Sequence, residues 1–214
     1  MRSSFYIAVF AALFLTGCGS LNLAENRSPA PANSAVNAAP EATIRSEPPA
    51  EADARMAPNA LGSKAARELC FETNTGDTDI VREQTFAIEF EPFKGTCFIT
   101  MHNPEYDDPP LESEFAIYRG NRRIAEFPDQ FNGVNFGCWV EAVGFQDLNE
   151  DQKVDAVIVA KCSGKSGEYY ENMVYANDGR GFTTNLDANY KLAEFKTVRQ
   201  VSEYARENRS AFFK

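Results

Sequence analysis

The sequence predicts a mainly β domain in which antiparallel hairpins form a sandwich or a small propeller-like domain, followed by a short C-terminal helix. From residue 85 onward, short runs alternate apolar and polar residues, which is the period of a half-buried strand. Clusters of Gly, Pro, Asn and Asp separate these runs, as turns do. After residue 85, only residues 197–209 space apolar side chains as a helix does, behind Thr197 as a candidate cap.

The elements are expected in a simple order along the chain. A short helix at 64–69 places Ala65 and Leu69 on one side. Strands then follow in pairs, and the segments 103–110 and 129–137 are predicted loops. The predicted strands are 85–91, 96–101, 115–119, 123–127, 138–146, 154–162, 169–176 and 181–184.

Four cysteines lie in the predicted β-rich domain, at positions 70, 97, 138 and 162. They predict two disulfides, for which three connectivities are open. The strands 138–146 and 154–162 have equal length about a turn centred near Glu150, so Cys138 should face Cys162, which leaves Cys70 to pair with Cys97. Free buried thiols or a zinc site are the alternatives, and the absence of CxxC and the single histidine, His102, disfavour zinc. The same register pairs Val140 with Ala160, Ala142 with Ile158 and Gly144 with Ala156.

The N-terminus has a pattern typical of a bacterial lipoprotein signal peptide. Arg2 precedes an unbroken apolar run over residues 5–15, and the motif LTGC follows and ends at Cys18. The run is too short to span a bilayer, which takes about 20 residues, but it suits the apolar region of a signal peptide. We therefore expect cleavage after residue 17 and lipidation of Cys18, so that acyl chains hold the protein on a membrane.

Three regions are therefore predicted: a signal peptide at 1–17, a disordered Ala/Pro-rich tether at 18–62 and a single β-rich domain at 63–214. The tether has no aromatic residue and few large aliphatic ones, so it cannot bury enough surface to offset its chain entropy. Gly19, rather than Asp, follows the lipidated position. The resemblance to lipoproteins of double-membraned bacteria then implies a location in the cell envelope, at the periplasmic face of the outer membrane if the cell has two membranes.

The charge balance narrows the class of partner. The 31 acidic side chains outnumber 21 Lys and Arg, which gives a formal net charge of −10. Nucleic-acid binding requires clustered cations, so no nucleic-acid partner is expected. Cationic partners or Ca²⁺ fit this balance better, although acidity also serves solubility alone.

The turn after residue 146 has the ligand spacing of a calcium loop. Asp147, Asn149, Asp151 and Asp155 stand at loop positions 1, 3, 5 and 9, and the carbonyl of Lys153 offers a further oxygen. The segment resembles the calcium loops of FG-GAP or VCBS propeller repeats, which implies calcium as a cofactor. Its sixth position is Gln152 instead of the usual Gly. An Asx-rich turn whose side chains cap their own backbone is the alternative.

A glycine-rich segment follows the second of these strands. Ser163, Gly164, Ser166 and Tyr169 lie in the run SGKSGEYY beside a predicted disulfide. The run resembles the inhibitory loop of periplasmic and lipoprotein lysozyme inhibitors and of related immunity proteins. The resemblance implies that these four residues contact a lysozyme-like enzyme, while the alternative is an ordinary surface loop.

The sequence therefore favours a binding protein over an enzyme. One histidine gives no support for a Ser-His-Asp triad, and no pair of carboxylates stands out as a glycosidase pair. Much of the chain, above all residues 141–184, resembles uncharacterised bacterial lipoproteins, a group that implies a mainly β fold and no reaction. The hypotheses are a calcium-supported inhibitor of, or immunity protein against, lysozyme-type enzymes, a calcium-binding envelope assembly module without inhibitory activity, and a weak cell-wall hydrolase.

Overall fold

The computed structural model describes residues 60–213. The predicted signal peptide, Cys18 and nearly all of the predicted tether lie outside these residues. Ala60 is buried and Leu61 forms an isolated bridge with Ile88, so the fold already includes residues just before the predicted domain boundary at 63. None of the helices in residues 60–213 is long and apolar enough to cross a membrane.

The described chain is mainly β, as predicted, with short helices between and after the strands. The strands are β1 (Asp79–Ile80), β2 (Phe86–Ile88), β3 (Thr96–His102), β4 (Glu114–Arg119), β5 (Arg122–Glu126), β6 (Cys138–Gln146), β7 (Asp155–Gly164), β8 (Gly167–Tyr170), β9 (Met173–Asn177) and β10 (Phe182–Thr184). The α-helices are α1 (Lys64–Cys70), α2 (Leu186–Asn189), α3 (Val198–Glu207) and α4 (Arg209–Phe212). Short 3₁₀ turns lie at Arg82–Gln84, Gln130–Gly133 and Tyr190–Leu192.

The strands form two antiparallel sheets. In the first sheet the order is β1-β3-β4-β5, with β2 also paired to β3, and in the second it is β10-β9-β7-β6, with β8 also paired to β7. The sheets pack through aromatic side chains: the rings of Phe98 on β3 and Phe145 on β6 are 5.4 Å apart, and those of Phe115 on β4 and Tyr175 on β9 are 6.0 Å apart. This face-to-face packing is that of a sandwich.

The helices at the C-terminus cover the outer face of the second sheet. Thr197 caps α3 by accepting a hydrogen bond from the Gln200 amide, and Val198, Val201 and Ala205 are buried against β6, β7 and β9. The predicted C-terminal helix is therefore confirmed, and α4 extends it. Because the second sheet is covered on both faces, β7 is buried from Asp155 to Ala160 without alternation.

Both predicted disulfides are present, Cys70 with Cys97 and Cys138 with Cys162. The predicted β6–β7 register is correct only at the end that carries the second disulfide, from Cys138 to Val140. A bulge at Glu141 then shifts the pairing by one residue, so Ala142 faces Val159 and Gly144 faces Val157, instead of Ile158 and Ala156. The extra residue turns Val143 and Phe145 toward the aromatic core, and leaves Ala142 and Gly144 facing the helices.

The segment predicted as one strand at 169–176 is two strands. The chain leaves β7 after Tyr170 and pairs with it again from Met173, and the break between them is organised by Asn172. Its buried side chain donates to the carbonyls of Leu192 and Phe195, at 2.8 Å each, and accepts from the Ala160 amide. A single buried amide therefore joins β7 to the segment that leads into α3.

Candidate functional site

The predicted partner-binding segment is a tight β-hairpin and not an irregular loop. Gly164 on β7 pairs with Gly167 on β8, so only Lys165 and Ser166 form the turn. Gly167 has a φ of +112°, a backbone conformation that favours glycine. We call residues 163–170 the β7–β8 hairpin. Every residue of it up to Tyr169 is exposed, so it projects from the second sheet into solvent.

The four predicted contact residues all lie on this hairpin. Ser163 and Gly164 are on β7, Ser166 is in the turn, and Tyr169 is on β8 opposite Cys162. The ring of Tyr169 packs against Gly164, where an added Cβ would approach it to 3.0 Å, and yet 40% of the tyrosine stays exposed. Glycine at 164 thus creates the flat surface on which an exposed aromatic side chain rests.

The base of the hairpin is fixed by covalent and polar contacts. The disulfide between Cys138 and Cys162 joins β6 to β7 where the hairpin begins, and the Ser163 amide donates to the Gly137 carbonyl at 2.7 Å. Beside the disulfide, the Lys161 amine lies 3.3 Å from Glu168 and within 5.7 Å of the Tyr170 ring centroid. These contacts hold the hairpin in one orientation relative to the second sheet.

The predicted calcium ligands share the loop between β6 and β7, but the carboxylates of Asp147, Asp151 and Asp155 do not all come within 4.8 Å of one another. Much of their bonding capacity is used within the loop. The Asp147 carboxylate accepts hydrogen bonds from the amides of Glu150, Asp151 and Gln152. Asn149 accepts from the Asp151 amide, as in the Asx-turn alternative. Gln152 adopts a φ of +67°, so a non-glycine residue takes the left-handed conformation that the sixth position of a calcium loop requires.

The last two predicted ligands differ in their surroundings. Lys153 places its amine 2.8 Å from the Asp151 carboxylate, which raises the pKa of the amine and supplies a cation inside the loop. Asp155 is fully buried and accepts from the amides of Leu148 and Asn177. Burial raises the pKa of Asp155 to about 6, and the nearby carboxylates of Asp151 and Asp147 add to the rise.

A second cluster was not predicted from the sequence. His102 at the end of β3, Asp79 on β1 and Asp107 in the following loop each place one ligand atom within 4.8 Å of the other two. In residues 60–213 this is the one group of three or more His, Cys, Asp or Glu side chains that meets this criterion. Because β1 has only two residues, no alternating pattern marks it, and the approach of Asp79 to His102 has no signal in the sequence.

No protein-family model, curated protein or solved structure matches this chain. The function is therefore argued from the chemistry of these groups.

Proposed function

We propose that this protein is a lipid-anchored binding protein of the cell envelope that holds a protein partner with the β7–β8 hairpin. The observation that carries the proposal is the hairpin itself, a projecting two-stranded element with a glycine-flanked turn and a disulfide at its base. A rigid element loses little conformational entropy on binding, and an exposed tyrosine is a frequent anchor of protein interfaces. In its most specific form, the proposal is that the partner is a lysozyme-type enzyme, and that this protein inhibits it or gives immunity against it.

The shape and chemistry of the hairpin support that version. Its tip is narrow because Gly164 and Gly167 flank a turn of two residues, so it can enter the cleft of an enzyme. Lys165 at the tip offers a cation to the carboxylates of such a cleft, and Ser163 and Ser166 offer hydroxyl groups. Tyr169 lies behind the tip on β8, where it would contact the rim of the cleft.

The test is inhibition of peptidoglycan hydrolysis by a panel of lysozyme classes. The wild-type protein should slow at least one class, and Tyr169→Ala combined with Ser163→Ala should weaken inhibition about thirtyfold or more, because an anchor residue contributes about 2 kcal/mol or more. Tyr190→Ala is the matched control, since Tyr190 is also an exposed tyrosine, 58% accessible, but lies outside the hairpin.

Two results would count against this proposal in different ways. Inhibition that is equal in the double variant and the wild type would exclude the hairpin as the contact surface. An absence of inhibition of every class would exclude the lysozyme version. Mass spectrometry of the native protein tests the anchor separately, since a lipidated Cys18 would carry the mass of its acyl chains.

A calcium-supported module without inhibitory activity is the second candidate, and the buried carboxylate of Asp155 favours it. Burial, with the nearby carboxylates of Asp151 and Asp147, raises the pKa of Asp155, and a divalent cation bound beside these carboxylates would offset their repulsion. At a concentration about 100 times its Kd, Ca²⁺ should raise the free energy of unfolding by about 2.7 kcal/mol.

Calorimetry and thermal unfolding with Ca²⁺ test this candidate. Asp147→Asn should remove the effect. Lys153→Met should strengthen it, because the lysine amine competes with a metal ion for Asp151. The absence of both heat and stabilisation at millimolar Ca²⁺ would contradict calcium binding.

A further inference from the structure

A cluster of one histidine and two aspartates lies on the first sheet, at the end of β3. β1 runs antiparallel to β3, and the register places Asp79 directly opposite His102. The chain then turns through residues 103–106 and brings Asp107 to the same imidazole, with Oδ1 at 3.7 Å from Nε2. Two carboxylates from separate segments therefore lie close to the same imidazole, each with a ligand atom within 4.8 Å of it.

The hydrogen bonds of His102 indicate which of its two ring nitrogens keeps a free lone pair. The side chain is nine-tenths buried, and Nδ1 lies 2.9 Å from the Asn103 carbonyl oxygen and 2.8 Å from that of Tyr106. Carbonyl oxygens only accept hydrogen bonds, so Nδ1 carries the hydrogen. When Nδ1 carries the only ring hydrogen, Nε2 has a free lone pair, and Asp107 is the carboxylate nearest to it at 3.7 Å. A metal-bound histidine has this same arrangement, in which the other ring N–H donates to a carbonyl.

Nε2 has no hydrogen-bond partner in residues 60–213. The separation of 3.7 Å from Asp107 is too long for a hydrogen bond. Neither Asp79 nor Asp107 has another side-chain hydrogen bond or ion pair in the part of the chain that the structure describes. Three groups with free electron pairs thus lie within 4.8 Å of one another, and a cation bound between them would offset the repulsion of the two carboxylates.

The chemical nature of the three side chains, one imidazole and two carboxylates, indicates which cations would bind there. Ca²⁺ and Mg²⁺ prefer all-oxygen sites, whereas an imidazole nitrogen with carboxylate oxygens suits Zn²⁺ and the neighbouring transition metals. Asp79 and Asp107 are exposed, so their side chains can rotate inward to the roughly 2.0 to 2.2 Å that Zn²⁺ requires. The surrounding cleft, about 480 Å³ and lined by Thr75, Thr78 and Arg82, leaves room for water or a small anion as a further ligand.

We infer that Asp79, His102 and Asp107 form a binding site for a divalent transition-metal ion, with one coordination position open to solvent. The site is on the first sheet and the β7–β8 hairpin is on the second. The inference therefore goes beyond the proposed function and does not depend on it. Three protein ligands and an open position are characteristic of a site that binds an exchangeable ligand.

The test uses Zn²⁺ and the full chain without an added histidine tag, after removal of metal by a chelator. His102 is the single histidine of the protein, so ¹⁵N-histidine labelling gives the two ring nitrogens of this residue alone. One equivalent of Zn²⁺ should shift the Nε2 resonance while Nδ1 stays protonated. Calorimetry should give one ion per chain.

Substitution of the two exposed aspartates tests the site without changing the buried imidazole of His102. Asp79→Asn and Asp107→Asn should each raise the Kd for Zn²⁺ about tenfold or more, while the control Glu105→Gln, an exposed acid of the same loop outside the cluster, should leave it unchanged. The inference is overturned if Zn²⁺ moves neither ring nitrogen. It is also overturned if both Asp variants bind Zn²⁺ as tightly as the wild type, since the ion would then lie elsewhere.

Discussion

Replacing Gly144 with alanine should destabilise the protein through a single contact. Gly144 on β6 lies against Val198, the first residue of α3, and a Cβ at 144 would overlap a Val198 methyl group. The backbone itself permits alanine, because φ at Gly144 is not positive, and alanine would gain about 0.4 to 1 kcal/mol by restricting the unfolded chain. Overpacking a core costs about 1 to 3 kcal/mol, so the overlap dominates.

The expected net loss for Gly144→Ala is about 1 to 2 kcal/mol in the free energy of unfolding, or a few degrees in Tm for a domain of this size. Urea unfolding with both disulfides oxidised measures it. Gly181→Ala is the matched control, because a Cβ at 181 meets no atom within 4 Å and its φ is also not positive. That control should be neutral or slightly stabilising.

A double-mutant cycle tests the contact itself. Val198→Ala alone should cost about 2 kcal/mol because buried methyl groups are lost. The double variant should be about 1 kcal/mol more stable than the sum of the two single effects, since the shortened side chain accommodates the new Cβ. Additive effects, or a Gly144→Ala protein as stable as the wild type, would refute the packing argument.

Three further predictions concern the second sheet. Asn172→Ala should lower the free energy of unfolding by about 3 kcal/mol in chemical denaturation, because two carbonyls and the Ala160 amide lose their buried partner; a loss below about 1 kcal/mol would contradict this. Replacing both Cys138 and Cys162 with alanine should cost about 3 kcal/mol by thermal unfolding, as expected for a closed segment of this length, and an unchanged Tm would show that the bridge adds nothing. Folding raises the pKa of Asp155 to about 6, so its contribution is fully present below the ordinary aspartate pKa of about 4 and is lost as pH rises through about 6. With a chelator present, urea unfolding between these pH values should show a decline of up to about 3 kcal/mol from this group in the wild type that is absent in Asp155→Asn, and equal slopes would contradict it.

Much of the fold could be predicted from local patterns. Strands β3 to β7 are marked by apolar residues between clear turn signals, and helix α3 by apolar residues at helical spacing. The equal arms around Glu150 were enough to pair Cys138 with Cys162. The bulge at Glu141 could not be predicted, because an inserted residue leaves both strands looking regular in sequence. Its position follows from tertiary packing, which places Phe145 among the core aromatics.

The candidate sites were predictable to different degrees. The run at 163–170 was singled out by its glycine and serine content. The pairing of Gly164 with Gly167 was not predicted, because it depends on β7 continuing past the disulfide, which glycine and serine do not signal. The cluster around His102 was not predicted, because Asp79 lies on a two-residue strand with no alternating pattern and Asp107 lies in a loop. Only the register of β1 against β3 brings Asp79 to the imidazole.

Strand β7 has a mechanical consequence for any partner bound at the hairpin. β7 hydrogen-bonds to β6 on one edge and to β8 and β9 on the other, and its first six residues are covered by a layer on each face. A force applied at the tip of the hairpin therefore acts on a central strand of the second sheet. The disulfide between Cys138 and Cys162 joins this strand to β6 where the hairpin begins. Pulling the hairpin out would require breaking the pairing of β7 with β6 and β9, so a partner held there would meet a hairpin that resists displacement.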